Sequence, residues 1–275
     1  MRPLNLAICG FGSAGRSRLR AAEQNEKIQV QGIISQRKDV GNISWSDALA
    51  HPEINAIAIS TENTRHAQLV SQTLEAGKHV LCDYPLCFSA TEAQKLFDLA
   101  QSKNKILHVE HIGLLSKAHK QAAQDLNNLG TLISGRYEFT GGWSDALADT
   151  SRHGPPAFWA VSRLMQCADW FGPFKITKHQ VVHDAENCVI ELQLLFNQGG
   201  QLQFIERRAS GLTRGRSFKA QLSAGIYDWD PTLESEGLFA QDLNHFYDRI
   251  TKGTPCYYDE AVMVSVIKEL EMISV

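Results

Sequence analysis

The 275-residue sequence has no apolar run approaching the ~18 residues that a membrane-spanning helix needs. Its six cysteines (Cys9, Cys82, Cys87, Cys167, Cys188 and Cys256) include no CxxC pair, which argues against a zinc ribbon or a dithiol redox motif. Several lie in apolar runs, where a reduced thiol packs as a small hydrophobe, so free thiols in a reducing compartment are expected. Charge of one sign is also lacking: 27 Lys and Arg stand against 30 Asp and Glu, a net −3. Such a balance gives no electrostatic ground for nucleic acid or a membrane surface as partner. Met1-Arg2-Pro3 leads straight into an apolar run with no signal-peptide layout, and a cytoplasmic location is the expectation. There is no internal repeat and no low-complexity segment, and no interface signature fixes the oligomeric state.

What is present is order. Over residues 1–130 short apolar runs alternate with amphipathic stretches, the pattern of βαβ units and a parallel sheet. Strands are expected at Leu4–Cys9, Ile28–Ile34, Ala56–Ser60, His79–Cys82 and Ile106–Val109. Helices fit Ala14–Glu23, Thr64–Ala76, Ala90–Gln101 and Leu115–Leu126, the third behind Ser89 with Glu92 placed for a capping box. Over residues 131–275 longer alternating segments take over, at Thr131–Thr140, Val189–Phe196, Gln201–Arg208 and Arg216–Leu222. They predict a mostly antiparallel sheet covered on one face, with helices at Ala157–Phe171, Gly237–Thr251 and Asp259–Ile273. The expected fold is therefore α/β followed by α+β: a Rossmann domain, then an open-faced substrate domain. The last helices are candidates to pack back on the first domain.

Gly10-Phe11-Gly12-Ser13-Ala14-Gly15 is a GxGxxG directly after a strand and at the start of a helix. The first glycine permits a tight turn, the second lets a pyrophosphate approach the backbone, and the third lets helix and strand pack closely. At the end of the second strand the sequence reads Ser35-Gln36-Arg37-Lys38, with no carboxylate before Asp39. A hydroxyl and two cations suit a 2′-phosphate, which favours NADPH over NADH; a solvated basic turn is the alternative. Ser60, Thr61, Glu62, Asn63 and His66 follow the third strand, and Asp83 and Tyr84 follow the fourth, on the edge where such sheets bind cofactors.

These strings resemble the Gfo/Idh/MocA family, which joins a Rossmann domain to an open-faced sheet. The likeness covers Gly10–Gly15, Thr61 through His66, and Ala76-Gly77-Lys78-His79-Val80. Sugar-oxidising members carry Glu-Lys-Pro where this chain has Asp83-Tyr84-Pro85, and an Asp and a His where Phe158 and Ser162 stand. The apparatus for deprotonating an alcohol is missing. Tyr84-Pro85, Leu107-His108-Val109-Glu110-His111, Ser162-Arg163-Leu164 and Gly211-Leu212 resemble instead the biliverdin reductases of that family. The second-strand end is similar to their Ser-Arg-Arg, with Gln36 in place of one arginine. The resemblance implies NADPH-dependent reduction of the central methine bridge of a bilin tetrapyrrole, and no metal.

Arg163 is the first candidate for catalysis and for substrate binding, flanked by apolar Val161 and Leu164 where an unpaired charge is costly. The resemblance implies that it assists protonation; because guanidinium is a poor acid, stabilising negative charge or holding an acidic water is favoured. An ion pair with Asp169 is the alternative. Tyr84 and Glu110 are the other catalytic candidates, each set against a packing role. Arg207, Arg208, Arg214 and Arg216 form the dense basic group of the second half. Arg214 and Arg216, on one face by alternation, are candidates for the bilin propionates, with a solvated face as alternative; His111 is a further candidate for substrate binding. Two rivals stay open: an oxidoreductase for another conjugated carbonyl or a sugar, and a non-catalytic bilin or dinucleotide sensor or carrier.

Overall fold

The five apolar runs of the first half do become strands, because each is too short and too β-branched to do otherwise once the helices cover both faces. In the computed structural model, which describes residues 3–37, 39–229 and 237–274, the elements of the first half are β1 (Leu4–Cys9), α1 (Ser13–Glu23), β2 (Ile28–Ile34), α2 (Trp45–Ala50), β3 (Ala56–Ile59), α3 (His66–Glu75), β4 (His79–Cys82), α4 (Ala90–Ser102) and β5 (Leu107–Val109). The strands form one parallel sheet in the order β2-β1-β3-β4-β5. A 3₁₀ turn, Asn63–Arg65, leads into α3. Ser89 precedes α4 as expected, but its side chain makes no capping bond. All six cysteines are free.

The second half begins with α5 (Lys117–Leu129), capped by Ser116, whose Oγ accepts the His119 N–H. It continues through β6 (Leu132–Gly142), two single turns α6 (Asp145–Ala148) and α7 (Thr150–His153), and α8 (Val161–Phe171), entered by a 3₁₀ turn at Pro156–Ala160. Then come β7 (Phe174–His183), β8 (Asn187–Phe196), β9 (Gln201–Ala209), β10 (Gly215–Leu222), β11 (Gly225–Trp229), α9 (Leu238–Lys252) and α10 (Glu260–Met272). The sheet order is β11-β10-β6-β9-β8-β7; every pairing is antiparallel except β6 with β9. One face packs Tyr137, Phe204 and Phe218 under α8. The other carries half-exposed ion pairs, Arg207 with Glu138 (3.5 Å) and with Glu191 (3.1 Å). Strand β7 escapes a reading by alternation because it is an edge strand: Lys175, Lys178, His179 and Gln180 are exposed.

The chain divides into two compact units, Met1–Ile112 with Glu236–Tyr257, and Gly113–Ser235 with Tyr258–Val275. This corrects the boundary expected at residue 130. Helix α5 belongs to the second unit, where it packs on α8 and β11. Of the last two helices, only α9 joins the Rossmann unit. It lies against α1, and its Leu243, Phe246 and Tyr247 enter the core formed by Leu6, Ile8, Ala56, Ala58 and Leu81. Among the described residues no helix is long and apolar enough to cross a membrane.

If α9 is an integral wall of the first unit, Phe246→Ala leaves a cavity in that core and destabilises the fold by roughly 3–5 kcal/mol. Urea denaturation checks this; a loss below about 1 kcal/mol would mean that α9 is an appendage.

Candidate active site

In the Rossmann unit the glycine turn is fixed by how little room it leaves. A Cβ on Gly10, whose φ is +94°, would sit 2.1 Å from the Ser60 carbonyl oxygen, and one on Gly15 would sit 2.2 Å from that of Gly10. Gly12 differs: nothing lies within 4 Å of its would-be Cβ. It is the N-cap of α1, no side chain caps the helix there, and no acidic residue occupies the first turn. The first N–H groups of α1 thus face an open, uncapped position suited to a pyrophosphate. The buried Ser60 Oγ has no hydrogen-bond partner among the described residues. Open space at Gly12 and an unsatisfied hydroxyl at Ser60 fit a bound dinucleotide.

At the end of β2, Ser35 Oγ accepts the Arg37 backbone N–H (3.1 Å), and the Arg37 guanidinium lies over the Phe11 ring at 5.9 Å. Gln36 is exposed. Lys38 lies outside the described residues. Thr61 donates to Glu62 (3.0 Å), beside the 3₁₀ turn that begins at Asn63.

Two of the expected cofactor residues turn out to be occupied elsewhere. His66 is fully buried, with Nδ1 2.7 Å from the Pro85 carbonyl and Nε2 3.2 Å from that of Thr61. Burial lowers its pKa, and the neutral ring has one N–H to donate, the Pro85 carbonyl being the nearer acceptor. The Asp83 carboxylate accepts from Arg18, whose Nε is 3.0 Å away. Arg18 is wholly buried and also reaches Asp242 of α9 at 3.0 Å. Tyr84, half-buried after β4, stacks on His111 with centroids 6.0 Å apart and planes within 12°. His111 is itself buried, and burial pushes its pKa down to about 3. It therefore carries a neutral ring.

Around Arg18 the buried groups form one network. Tyr257 accepts the His111 backbone N–H at 2.9 Å and donates to Asp242 at 2.7 Å. His108, neutral because of burial, bonds Asp242 at 2.8 Å. Burial alone would raise Asp242, but His108 and Arg18 hold it below the usual carboxylate range. Glu110, just past β5, accepts the Ile112 N–H at 2.9 Å. Burial, then the charges of Asp83 and Asp242, push its pKa up to about 8. It is a buried, protonated group near neutral pH.

The second unit gathers cations around one ring. Arg163, 5% exposed, bonds Glu206 through Nε (2.7 Å) and Nη2 (3.1 Å) and also donates to the Trp159 carbonyl. This corrects the Asp169 alternative: Asp169 bonds His119 at 2.7 Å instead. Arg208 Nε reaches the same Glu206 at 2.7 Å. The guanidiniums of Arg163, Arg208 and Arg214 lie 4.4, 5.1 and 6.0 Å from the centroid of Phe139. Arg214 is exposed and Glu206 fully buried. Two of these three cations, Arg163 and Arg208, share the Glu206 carboxylate. Arg216 stands opposite Phe139 in the β6–β10 register and lies over the Trp229 ring at 5.7 Å, and Arg207 points to the opposite face. Arg208 and Glu206 were readable from alternation along β9, which puts both on one face with Phe204. Among the described residues no group of three or more His, Cys, Asp or Glu is arranged to hold a metal.

Residues 4–111 match the oxidoreductase family with an NAD-binding Rossmann fold, Gfo/Idh/MocA, and residues 119–233 match the catalytic domain of biliverdin reductase. The chain thus joins a Rossmann domain of the Gfo/Idh/MocA type to a domain of the biliverdin reductase catalytic type. It is 28% identical to biliverdin reductase A of Mus musculus over 260 residues, covering 90% of this chain and 86% of that one. The human biliverdin reductase A gives the same identity over 261 residues, with the same coverage. The biliverdin reductase of Synechocystis sp. PCC 6803, solved with biliverdin and NADP+, superposes with a TM-score of 0.89 at 25% identity over 98% of both chains. The chain is an NAD(P)H-dependent oxidoreductase.

The raised pKa of Glu110 sets the sign of a pH effect. Unfolded, the carboxyl loses its proton near the ordinary value of 4.5; folded, it keeps it to about 8. Over that window the folded state holds the extra proton, so the Glu110 contribution to stability falls as pH rises. Glu110→Gln should gain on the wild type by about 3–4 kcal/mol in going from pH 5 to pH 8. Urea denaturation at the two pH values measures the difference, and a constant difference would show Glu110 ionised in the fold.

Proposed function

We propose that the chain reduces the central methine bridge of biliverdin to give bilirubin, with NADPH as donor. The observation that carries this reading is the cluster of Arg163, Arg208 and Arg214 around Phe139, with Arg163 and Arg208 held by the buried Glu206 carboxylate. A bilin is a wide conjugated plane with two propionates, and it gains electron density on its pyrrole nitrogens as it is reduced. An aromatic face rimmed by guanidiniums suits both features.

With its pyrophosphate held at Gly10–Gly15, the cofactor would supply a hydride from its nicotinamide ring; the protein's share is orientation, charge and a proton. Arg163 stays protonated, since guanidinium loses its proton only above about pH 12. Its role in this reading is to lower the energy of negative charge on the reduced bilin and to hold the water that delivers the proton to nitrogen. Arg208 and the more exposed Arg214 take the propionates. Tyr84 is assigned a packing contact beside the nicotinamide. Glu110, Asp83 and His66 shape the cofactor edge from beneath and touch no substrate. The reading gains support from the absence of the lysine and histidine that sugar-oxidising relatives use, with Tyr84 and Ser162 in their neighbourhood instead.

The test follows biliverdin loss and bilirubin gain by absorbance, with NADPH and with NADH, from acid to neutral pH. Turnover is expected with both, faster with NADPH. Arg163→Ala should lower kcat by roughly a hundredfold, as removal of one charge-stabilising donor does elsewhere, and leave cofactor affinity unchanged. Tight biliverdin binding with no conversion would mark a carrier or sensor, and an unchanged kcat in the variant would refute the Arg163 assignment.

A further inference from the structure

The turn after β2 supplies one ordered arginine, Arg37, beside Ser35 and Gln36. A second guanidinium reaches the same place from a different element. Arg16, an exposed residue in α1, donates through Nη1 to the Phe11 carbonyl oxygen at 3.2 Å. Arg37 donates through Nη2 to the same oxygen at 3.4 Å. Among the described residues neither forms an ion pair, so their common partner is one neutral carbonyl. Two like charges held to a single dipole repel each other, and a dianion placed against both converts that repulsion into attraction. The Ser35 hydroxyl accepts the Arg37 amide proton, which leaves its own O–H available to donate outward.

We propose that Arg16 is the second cation for the 2′-phosphate of NADPH, supplied by α1 where the β2 turn has Gln36. The inference rests on the NADPH preference in the proposed function. The phosphate would sit between Arg16 and Arg37 with Ser35 as a hydroxyl donor, and Phe11 would carry the carbonyl that spaces the two guanidiniums. Arg16 is then a specificity residue, indifferent to the adenosine and pyrophosphate parts of the cofactor.

Binding, measured by calorimetry on the full chain without substrate, tests this. The probes are 2′,5′-ADP against 5′-AMP, and NADP+ against NAD+. Arg16→Gln should weaken 2′,5′-ADP and NADP+ roughly tenfold while 5′-AMP and NAD+ change less than twofold. Adding Gln36→Arg to that variant should restore most of the loss. An equal loss for both members of each pair would place Arg16 on the pyrophosphate and overturn the proposal, as would no loss at all. If the wild type itself fails to favour 2′,5′-ADP over 5′-AMP, the NADPH preference falls and takes this inference with it. A wild type that discriminates, with an Arg16→Gln variant that discriminates equally, defeats the Arg16 assignment alone.

Discussion

The Glu206 carboxylate is the pivot of the substrate unit. It is buried without exposure in the middle of the sheet, where an ionised group is stable only if cations satisfy it, and Arg163 and Arg208 do so from two elements. Their guanidiniums are thereby locked in orientation against Phe139, and one negative charge is spread over both. The remaining positive charge is therefore built into the fold and already positioned before any ligand arrives. Preorganisation of this kind is what makes a charge effective on a developing anion, because nothing need reorient during the reaction.

The Rossmann unit solves a related problem in the opposite sense. There a single buried cation, Arg18, holds two carboxylates, Asp83 after β4 and Asp242 on α9. His108 and Tyr257 complete the hydrogen bonding of Asp242. Burial first, and then this pair of acids, makes further ionisation nearby costly, which is why Glu110 keeps its proton to about 8. The consequence for the cofactor edge is rigidity: the Asp83-Tyr84-Pro85 loop is tied down by Arg18 on one side and by His66 on the other.

How much of this was legible in the sequence depended on range. The glycine turn, the parallel strands and the helix bearing Arg163 follow from local period and local sterics, and all are where the pattern puts them. Arg163 was recognisable as a charge in an apolar helix. Its partner was not, because Glu206 lies 43 residues on, in a strand whose register decides which side chains meet. The same limit hid Asp242, 224 residues from Arg18, and so Asp83 was assigned to the cofactor when its carboxylate is already spoken for. For His66 the sequence gives a position on that edge and not the Pro85 and Thr61 carbonyls that face its ring. Helix α5 was assigned to the first unit because amphipathic period is the same on either side of a boundary. That Arg163 and Arg208 gather with Arg214 at Phe139 was beyond local pattern, because it depends on the register of β6 with β9 and on the placement of α8.

The central claim, that a hydride reaches the middle carbon of a bilin, is tested most directly by isotope position. Biliverdin is incubated with the protein and NADPH deuterated at both C4 positions, and the product is read by mass spectrometry and NMR. The account predicts bilirubin carrying one deuterium on the central bridge carbon. NADPH consumption that leaves that carbon unlabelled would contradict it.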